Sequence, residues 1–253
     1  MKRNAIARIV IYSILLLIMT GILMLGIAAE FFMVQLGSGD NVPKEGHAPG
    51  DVRNIEINWA GGTVTVQRGT GSEIIFYESA PDGCWYNMEY EYDGYSLTID
   101  YGSKFTVGKT AEKDLTICVP QDWTGEELEI NGAGLVIQIE NVDIHTLELD
   151  GAGCEVDFSG AITHLQVNGA GAELALHCKN QPEQLDINGM GCAMDLKLPK
   201  DCGFSVRTNG LGCAVNTNMS FAEKDGRKVY GNGQCAIEVN GLGCRIDITE
   251  NSD

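Results

Sequence analysis

A short stretch, LDINGMGCAMDLKL at 185–198, contains two glycines and a cysteine that could form a phosphate-binding loop, a nucleophile or a metal ligand. A Gly-x-Gly loop binds phosphate when it opens a helix, because the free amides of the helix N-terminus hold the anion. A cysteine can act as a nucleophile or bind a metal ion. Here the glycines are followed by alternating apolar and polar residues, the pattern of a β-strand, so no nucleotide site is predicted.

This stretch is one of six similar copies, each with an Asn or Asp directly before Gly-x-Gly. We call these residues the anchors, and they are Asn131, Asp150, Asn168, Asn188, Asn209 and Asn240. Successive anchors are 19, 18, 20, 21 and 31 residues apart. Self-similarity at such a period is typical of a solenoid. The segment IEINWAGGTVTV from Ile55 is a degenerate earlier copy with Asn58 as its anchor.

The alternation on both sides of each Gly-x-Gly predicts strand, corner, strand. The residues three before and six after each anchor are apolar and are expected to face inward. The predicted fold is therefore all-β, a single-stranded parallel β-helix (β-solenoid), preceded by one transmembrane α-helix. Hairpin excursions are predicted at both ends, around Asp93-Gly94 and Asp225-Gly226. They would cover strand edges that otherwise favour self-association.

The nine cysteines include four that occupy one repeat position, the residue after Gly-x-Gly. These four are Cys154, Cys192, Cys213 and Cys244. Two other copies have Leu135 and Ala172 there, and this exchange favours a core position over disulfide or metal chemistry. Stacked copies would lie ~4.8 Å apart, a separation that a disulfide can span. A Cys192–Cys213 disulfide, or a contact with Cys244, is therefore an open alternative. No Cys-x-x-Cys spacing indicates zinc.

The segment Ile9–Ala29 has 21 residues without a charge, enough for a helix that spans the ~30 Å hydrocarbon core. Lys2, Arg3 and Arg8 precede it, so the N-terminus is predicted to be cytoplasmic and the rest extracytoplasmic. A cleaved signal peptide is the alternative, with a shorter apolar core expected. The predicted organisation is a cytoplasmic N-terminus (1–8), a membrane helix (9–29), a stalk (30–51) and a β-solenoid ectodomain (52–250), with the Gly-x-Gly repeats at 128–249.

The net charge of −18 disfavours nucleic acid and anionic lipid surfaces as partners and favours basic ones. Read in chain order, Ala175 separates the outward Asp157 from Asp195. Two residues before the anchors, Glu129 and Glu148 are the only adjacent acidic pair, since Gln166 and Arg207 separate the others. This spacing predicts a solvated face and no calcium site.

The histidines give no support to an enzyme. His145 lies five residues before its anchor and His164 lies four before, so alternation predicts opposite faces. Asp157 and Asp195 would lie two rungs, ~9.6 Å, apart. The sequence therefore predicts no catalytic, cofactor-binding or metal-binding residue, and no cofactor.

The segment DLTICVPQDW, the Leu-x-Ile, Gly-x-Gly, Ile-x-Ile copies and the final YGNGQCAIEVNGLGCRIDI resemble the bacterial putative-adhesin domain family over 52–249. That resemblance implies an extracytoplasmic β-helix at the cell envelope and no catalytic residues. The expected function is non-enzymatic, as a single-pass cell-membrane protein that binds, scaffolds or senses through a protein or envelope-polymer partner. The alternative is a carbohydrate-active β-helix enzyme that acts on envelope or extracellular polysaccharide.

Overall fold

The computed structural model describes residues 45–81, 87–102 and 112–250, which belong to one compact unit of the chain. Over these residues the protein is all-β, as predicted, and its 19 strands form one open sheet. The predicted membrane helix Ile9–Ala29 lies outside this part of the chain. Among the described residues, no helix has the length and apolar character needed to cross a membrane.

The strands are β1 (Glu45–Pro49), β2 (Asn54–Arg68), β3 (Glu73–Ser79), β4 (Glu89–Tyr92), β5 (Ser96–Asp100), β6 (Asp114–Val119), β7 (Thr124–Glu140), β8 (Asp143–Ala152), β9 (Glu155–Gly160), β10 (Ile162–Ala170), β11 (Glu173–Cys178), β12 (Gln184–Met190), β13 (Ala193–Leu198), β14 (Phe204–Leu211), β15 (Ala214–Thr217), β16 (Ala222–Lys224), β17 (Arg227–Tyr230), β18 (Cys235–Leu242) and β19 (Arg245–Glu250).

Parallel pairing arranges these strands in two runs, one on each side of the Gly-x-Gly corners. The first run has the order β5, β2, β7, β8, β10, β12, β18, β14. The second has β6, the later halves of β2 and β7, and then β9, β11, β13, β19, β15. We call each pair of strands joined by a corner a rung. Each anchor is paired in register with an anchor on a neighbouring strand, and Asn58 is paired in this way with Asn131.

The order of the last rungs differs from the chain order. The final rung, β18 with β19, lies between β12–β13 and β14–β15, so the rung of Asn209 is the terminal one. The cause lies in the spacing of Asn209 and Asn240, which are 31 residues apart and leave enough chain between them to form the β16–β17 hairpin and return. The predicted hairpin around Asp225-Gly226 is confirmed, and β17 pairs antiparallel with the outer edge of β14.

The predicted inward residues form the core. Those three positions before an anchor are at most 3% exposed. Those six positions after an anchor are at most 4% exposed, apart from Val215 of the terminal rung, which is partly buried. Burial of these side chains on successive rungs supplies the hydrophobic stabilisation that one copy alone cannot.

The two glycines of Gly-x-Gly are required for different reasons. A Cβ on the first glycine would strike the backbone of the adjacent rung; on Gly189 it would lie 2.1 Å from the carbonyl oxygen of Gly169. A Cβ on the second glycine would meet open space, but the backbone there is left-handed, with φ of 65° at Gly191. The first glycine therefore permits close stacking, and the second turns the corner.

The end of the sheet away from the β16–β17 hairpin begins earlier in the chain than predicted. Glu45–Pro49, assigned from the sequence to the stalk, form β1 and pair antiparallel with β3, and Ala48 is buried at 3% exposure. The alternation in this short segment is hidden among Gly, Pro and charged residues. The hairpin around Asp93-Gly94 joins β4 to β5 as predicted.

A buried ion pair lies at this end, and nothing in the repeat pattern indicated it. Lys113 is 0% exposed and its Nζ lies 2.5 Å from Oε2 of Glu78, which is 2% exposed. The ammonium group also donates to the carbonyl oxygen of Tyr101 at 2.7 Å and lies 4.2 Å from the centre of that ring. The other carboxylate oxygen of Glu78 accepts from the amide of Met88 at 2.9 Å.

Candidate functional site

Three parallel columns of side chains make up the outer face of the first strand run. They are the residues two before each anchor, the anchors themselves, and the residues two after each anchor, at the middle of Gly-x-Gly. Neighbouring columns are about 6.6 Å apart, because two residues of a parallel strand span that length. We call them the carboxylate column, the anchor ladder and the apolar ridge. Together they form one broad face rather than a pocket.

The anchor ladder is a chain of side-chain amide hydrogen bonds across the rungs. Each amide nitrogen donates to the anchor of the next rung. The donations are Asn209 to Asn240 at 2.9 Å, Asn240 to Asn188 at 2.9 Å, Asn188 to Asn168 at 3.1 Å, Asn168 to Asp150 at 2.7 Å, Asn131 to Asn58 at 3.1 Å, and Asn58 to Asp100 of β5 at 3.0 Å. The ladder holds these side chains in one orientation along the face.

The ladder stops between Asp150 and Asn131, although the two residues are paired in register. An ionised carboxylate has no proton to donate. The Nδ2 group of Asn131 donates instead to Asn58 and, at 2.8 Å, to Glu129. Asp150 therefore brings a negative charge to a position where an amide would continue the ladder.

Replacing Asp150 by Asn is expected to raise the free energy of unfolding by about 1 kcal/mol. The new amide would donate to Asn131, and the repulsion between Asp150 and Glu148 would end. Urea denaturation at neutral pH measures the gain. Asp157→Asn is the matched control, since Asp157 is an exposed aspartate outside the ladder. Equal midpoints for the two variants would contradict the expectation.

The gain should depend on pH in a defined direction. Burial, and then the charges of Asp150, Glu129 and Glu127, raise the pKa of Glu148 above its ordinary value of 4.5. The Glu148 carboxylate thus binds a proton more tightly in the native state than in the unfolded chain. Stability is gained as pH falls from the raised pKa toward 4.5, so the advantage of Asp150→Asn should shrink over that window.

The carboxylate column is more acidic than chain order predicted. Glu56, Glu129 and Glu148 occupy three successive rungs. At the other end Asp186 is paired directly with Glu238, so the prediction that Arg207 separates them is wrong. The insertion of the final rung is the reason, because it moves Arg207 to the far side of Glu238.

Arginine compensates the acidic pairs that the inserted rung creates. Arg227 of the hairpin forms an ion pair with Glu238. On the second run, Asp195 is paired directly with Asp247, which corrects the predicted alternation of aspartates with neutral residues. There Arg245 Nε lies 2.6 Å from Asp247. The three glutamates at the opposite end have amide and hydroxyl partners instead, such as Asn58 and Thr98 at Glu56.

The apolar ridge was missed in the sequence analysis. In rung order its members are Ala60, Ala133, Ala152, Ala170, Met190, Leu242 and Leu211. Its large residues lie on the three consecutive rungs at the hairpin end, where Met190 is 46%, Leu242 41% and Leu211 75% exposed. The signal was present in the repeat alignment, since the middle residue of Gly-x-Gly is apolar in every copy.

The prediction that His145 and His164 lie on opposite faces is wrong. The rings of His145 and His164 make an edge contact with centroids 5.0 Å apart. Alternation fails here because Ile144 and Leu147 are buried while His145 and Thr146 both face outward. His164 Nε2 lies 3.7 Å from a carboxylate oxygen of Glu183.

Asp157 and Asp195 lie on rungs that are not adjacent. Ala175 is paired with both Asp157 and Asp195, so the predicted two-rung separation is confirmed. Across the described ranges, no group of three or more His, Cys, Asp or Glu side chains could hold a metal ion.

The corner cysteines occupy the core position predicted for them. Cys192 and Cys244 are 2% and 1% exposed, and Cys154 and Cys213 are partly buried. Each Sγ lies 3.4–3.8 Å from the carbonyl oxygen of the first glycine on an adjacent rung. The four corner cysteines are free thiols, and Cys84 lies outside the described ranges. Cys192 and Cys213 are not neighbours, because the rung of Cys244 lies between them.

Comparison with known proteins gives structural likenesses only. No family model and no curated protein matches the chain. A structure from Clostridium sporogenes described as a putative cell adhesion protein is 19% identical, with 83% of this chain and 100% of that chain covered and a TM-score of 0.48. A putative adhesin from Bacteroides fragilis is 12% identical, with 85% and 100% covered and a TM-score of 0.44. A putative lipid binding protein from Parabacteroides distasonis is 11% identical, with 84% and 99% covered and a TM-score of 0.35.

Proposed function

We propose that this chain is a membrane-anchored extracytoplasmic β-solenoid that binds a protein partner through the face of the three columns and catalyses no reaction. The solenoid class is supported by the in-register parallel pairing of the copies from β2 to β19. The proposed membrane helix is supported by the uncharged segment Ile9–Ala29 with basic residues before it. Both expectations agree with the family resemblance.

The observation that carries the binding function is the exposed apolar ridge. Leu211, Leu242 and Met190 lie side by side on adjacent rungs and are 75%, 41% and 46% exposed. Solenoid interiors bury apolar residues, so a continuous exposed row beside a rigid polar ladder marks a contact surface.

The chemistry of the face selects the partner. The carboxylate column lies parallel to the ridge, and Glu56, Glu129 and Glu148 on successive rungs repel one another. A partner with basic residues opposite the column and apolar residues opposite the ridge satisfies both features. The net charge of −18 would further attract a basic segment. We therefore assign a basic, partly apolar protein segment as the occupant.

The test uses the full chain and three labelled peptides that alternate Lys with Leu, Glu with Leu, or Lys with Ser. Fluorescence anisotropy should show binding of the Lys–Leu peptide that weakens with added salt. The double variant Glu129→Gln, Glu148→Gln and the double variant Leu211→Ser, Leu242→Ser should each weaken it by about tenfold, which corresponds to about 1.4 kcal/mol.

The matched control is Asp122→Asn combined with Asp157→Asn, which removes two exposed charges outside the three columns. This control should bind the Lys–Leu peptide as the natural chain does. Equal loss in the control and the Glu129–Glu148 variant would mean that only net charge matters. Equally strong binding of the Glu–Leu peptide would also overturn the assigned face.

A further inference from the structure

Three cysteines lie on three consecutive rungs at the hairpin end of the sheet. The amide of Arg245 donates to the carbonyl oxygen of Cys192 at 2.8 Å, and the amide of Ala214 donates to that of Cys244 at 2.8 Å. Cys244 therefore has Cys192 on one side and Cys213 on the other. Neighbouring strands lie ~4.8 Å apart, within the range of Cα separations that a disulfide joins.

Access from solvent distinguishes the three thiols. Cys213 is partly buried and lines an open cavity of about 370 Å³ between the terminal rung and the β16–β17 hairpin. Cys244, one rung further in, is 1% exposed, and Cys192, two rungs in, is 2% exposed. A reagent in the cavity can thus reach Cys213 first, and Cys244 is the thiol directly behind it.

The cavity carries charges suited to an anionic ligand. Arg227 and Lys228 line it together with Glu223. Arg227 is paired with Glu238, and Lys228 Nζ lies 4.9 Å from the centre of the Phe221 ring. Positively charged side chains in this lining attract the carboxylates of a ligand. Burial is the main cause that raises the pKa of the Cys244 thiol. The order of reaction follows from position, because Cys213 lines the cavity and Cys244 is 1% exposed one rung further in.

We propose that Cys213 and Cys244 form a thiol–disulfide exchange site for small disulfides that carry carboxylates and enter this cavity. The Cys213 thiolate attacks one sulfur of the external disulfide. The external S–S bond breaks, a mixed disulfide forms on Cys213, and the first small thiol leaves with the proton that Cys213 gave up. The Cys244 thiolate then attacks Cys213 Sγ, and the second small thiol leaves with the proton of Cys244.

The net reaction is balanced in atoms and electrons. Two protein thiols become one Cys213–Cys244 disulfide, and one external disulfide becomes two thiols. The new bond joins the terminal rung, whose strand β15 is paired with β19, to the rung beneath it. It thus fixes the end of the sheet where the largest residues of the apolar ridge lie.

Mass spectrometry of the full chain tests the site. The reduced protein is incubated with glutathione disulfide at pH 8 without oxygen, alkylated and digested. A peptide that links Cys213 to Cys244 is expected. Cys244→Ala should stop the reaction at a glutathione adduct on Cys213, and Cys213→Ala should leave Cys244 unmodified over the same time. Alanine is chosen because Ala172 occupies this position in another copy.

Cys154→Ala is the matched control, because Cys154 has the same repeat position but Leu135 and Ala172 on its neighbouring rungs. This variant should form the Cys213–Cys244 link as fast as the natural chain does. A link between Cys192 and Cys244 in its place, or reaction of Cys213 only after denaturation, would overturn the site. Neither result bears on peptide binding, in which no cysteine takes part.

Discussion

Replacing Lys113 by Met is expected to lower the free energy of unfolding by about 3–5 kcal/mol. The substitution leaves Glu78, which is 2% exposed, without its cation at 2.5 Å. The remaining amide donor from Met88 cannot replace a full charge. Urea denaturation of the natural chain and the variant at neutral pH measures the loss.

The double variant Lys113→Met, Glu78→Leu distinguishes the effect of losing the ion pair from the effect of leaving a buried charge unpaired. It should recover much of the stability, because an apolar pair of similar volume leaves no buried charge. The surface pair Arg245–Asp247 is the control, and Arg245→Met should cost less than about 1 kcal/mol, since the Arg245 side chain is 63% exposed. A similar small loss at Lys113 would contradict burial of its ammonium group.

Replacing Gly189 by Ala is expected to lower the free energy of unfolding by about 3 kcal/mol or more. The new Cβ would lie 2.1 Å from the carbonyl oxygen of Gly169 and 3.0 Å from Sγ of Cys192. The first of these is a backbone atom in a paired strand and cannot move without parting the rungs. Urea denaturation measures the loss, and hydrogen exchange should show weakened protection of β10 and β12.

Gly191→Ala, two residues further on, is the control for this prediction. Nothing lies within 4 Å of a Cβ there, so only the left-handed backbone opposes it. The expected loss is about 1–2 kcal/mol. If Gly191→Ala proved the more damaging of the two, the close approach of rungs at the first glycine would be refuted.

Much of the fold could be predicted from local pattern. The inward residues, the corners, both hairpins and the register of the anchors follow from alternation and from the repeated Gly-x-Gly. These features depend on contacts between equivalent positions, so one alignment of the copies contains them. The apolar ridge also was readable there, as the common character of the middle residue.

The rung order could not be read in this way. Each copy can pair with any other, because the copies present the same hydrogen-bonding edges and the same apolar columns. The position of Cys244 between Cys192 and Cys213 depends on where the chain returns after the β16–β17 hairpin. The pairs Asp186–Glu238 and Asp195–Asp247 follow from the same choice.

The strands, the corners, the buried columns and the acidic character of the protein follow from the amino-acid sequence alone. Short-range alternation and the special backbone of glycine act within each copy, and composition alone sets the charge. The order of the rungs, the contact between His145 and His164, and the burial of Lys113 beside Glu78 depend on the tertiary fold. Those contacts join residues distant in the chain, and their energy depends on packing that no single copy encodes.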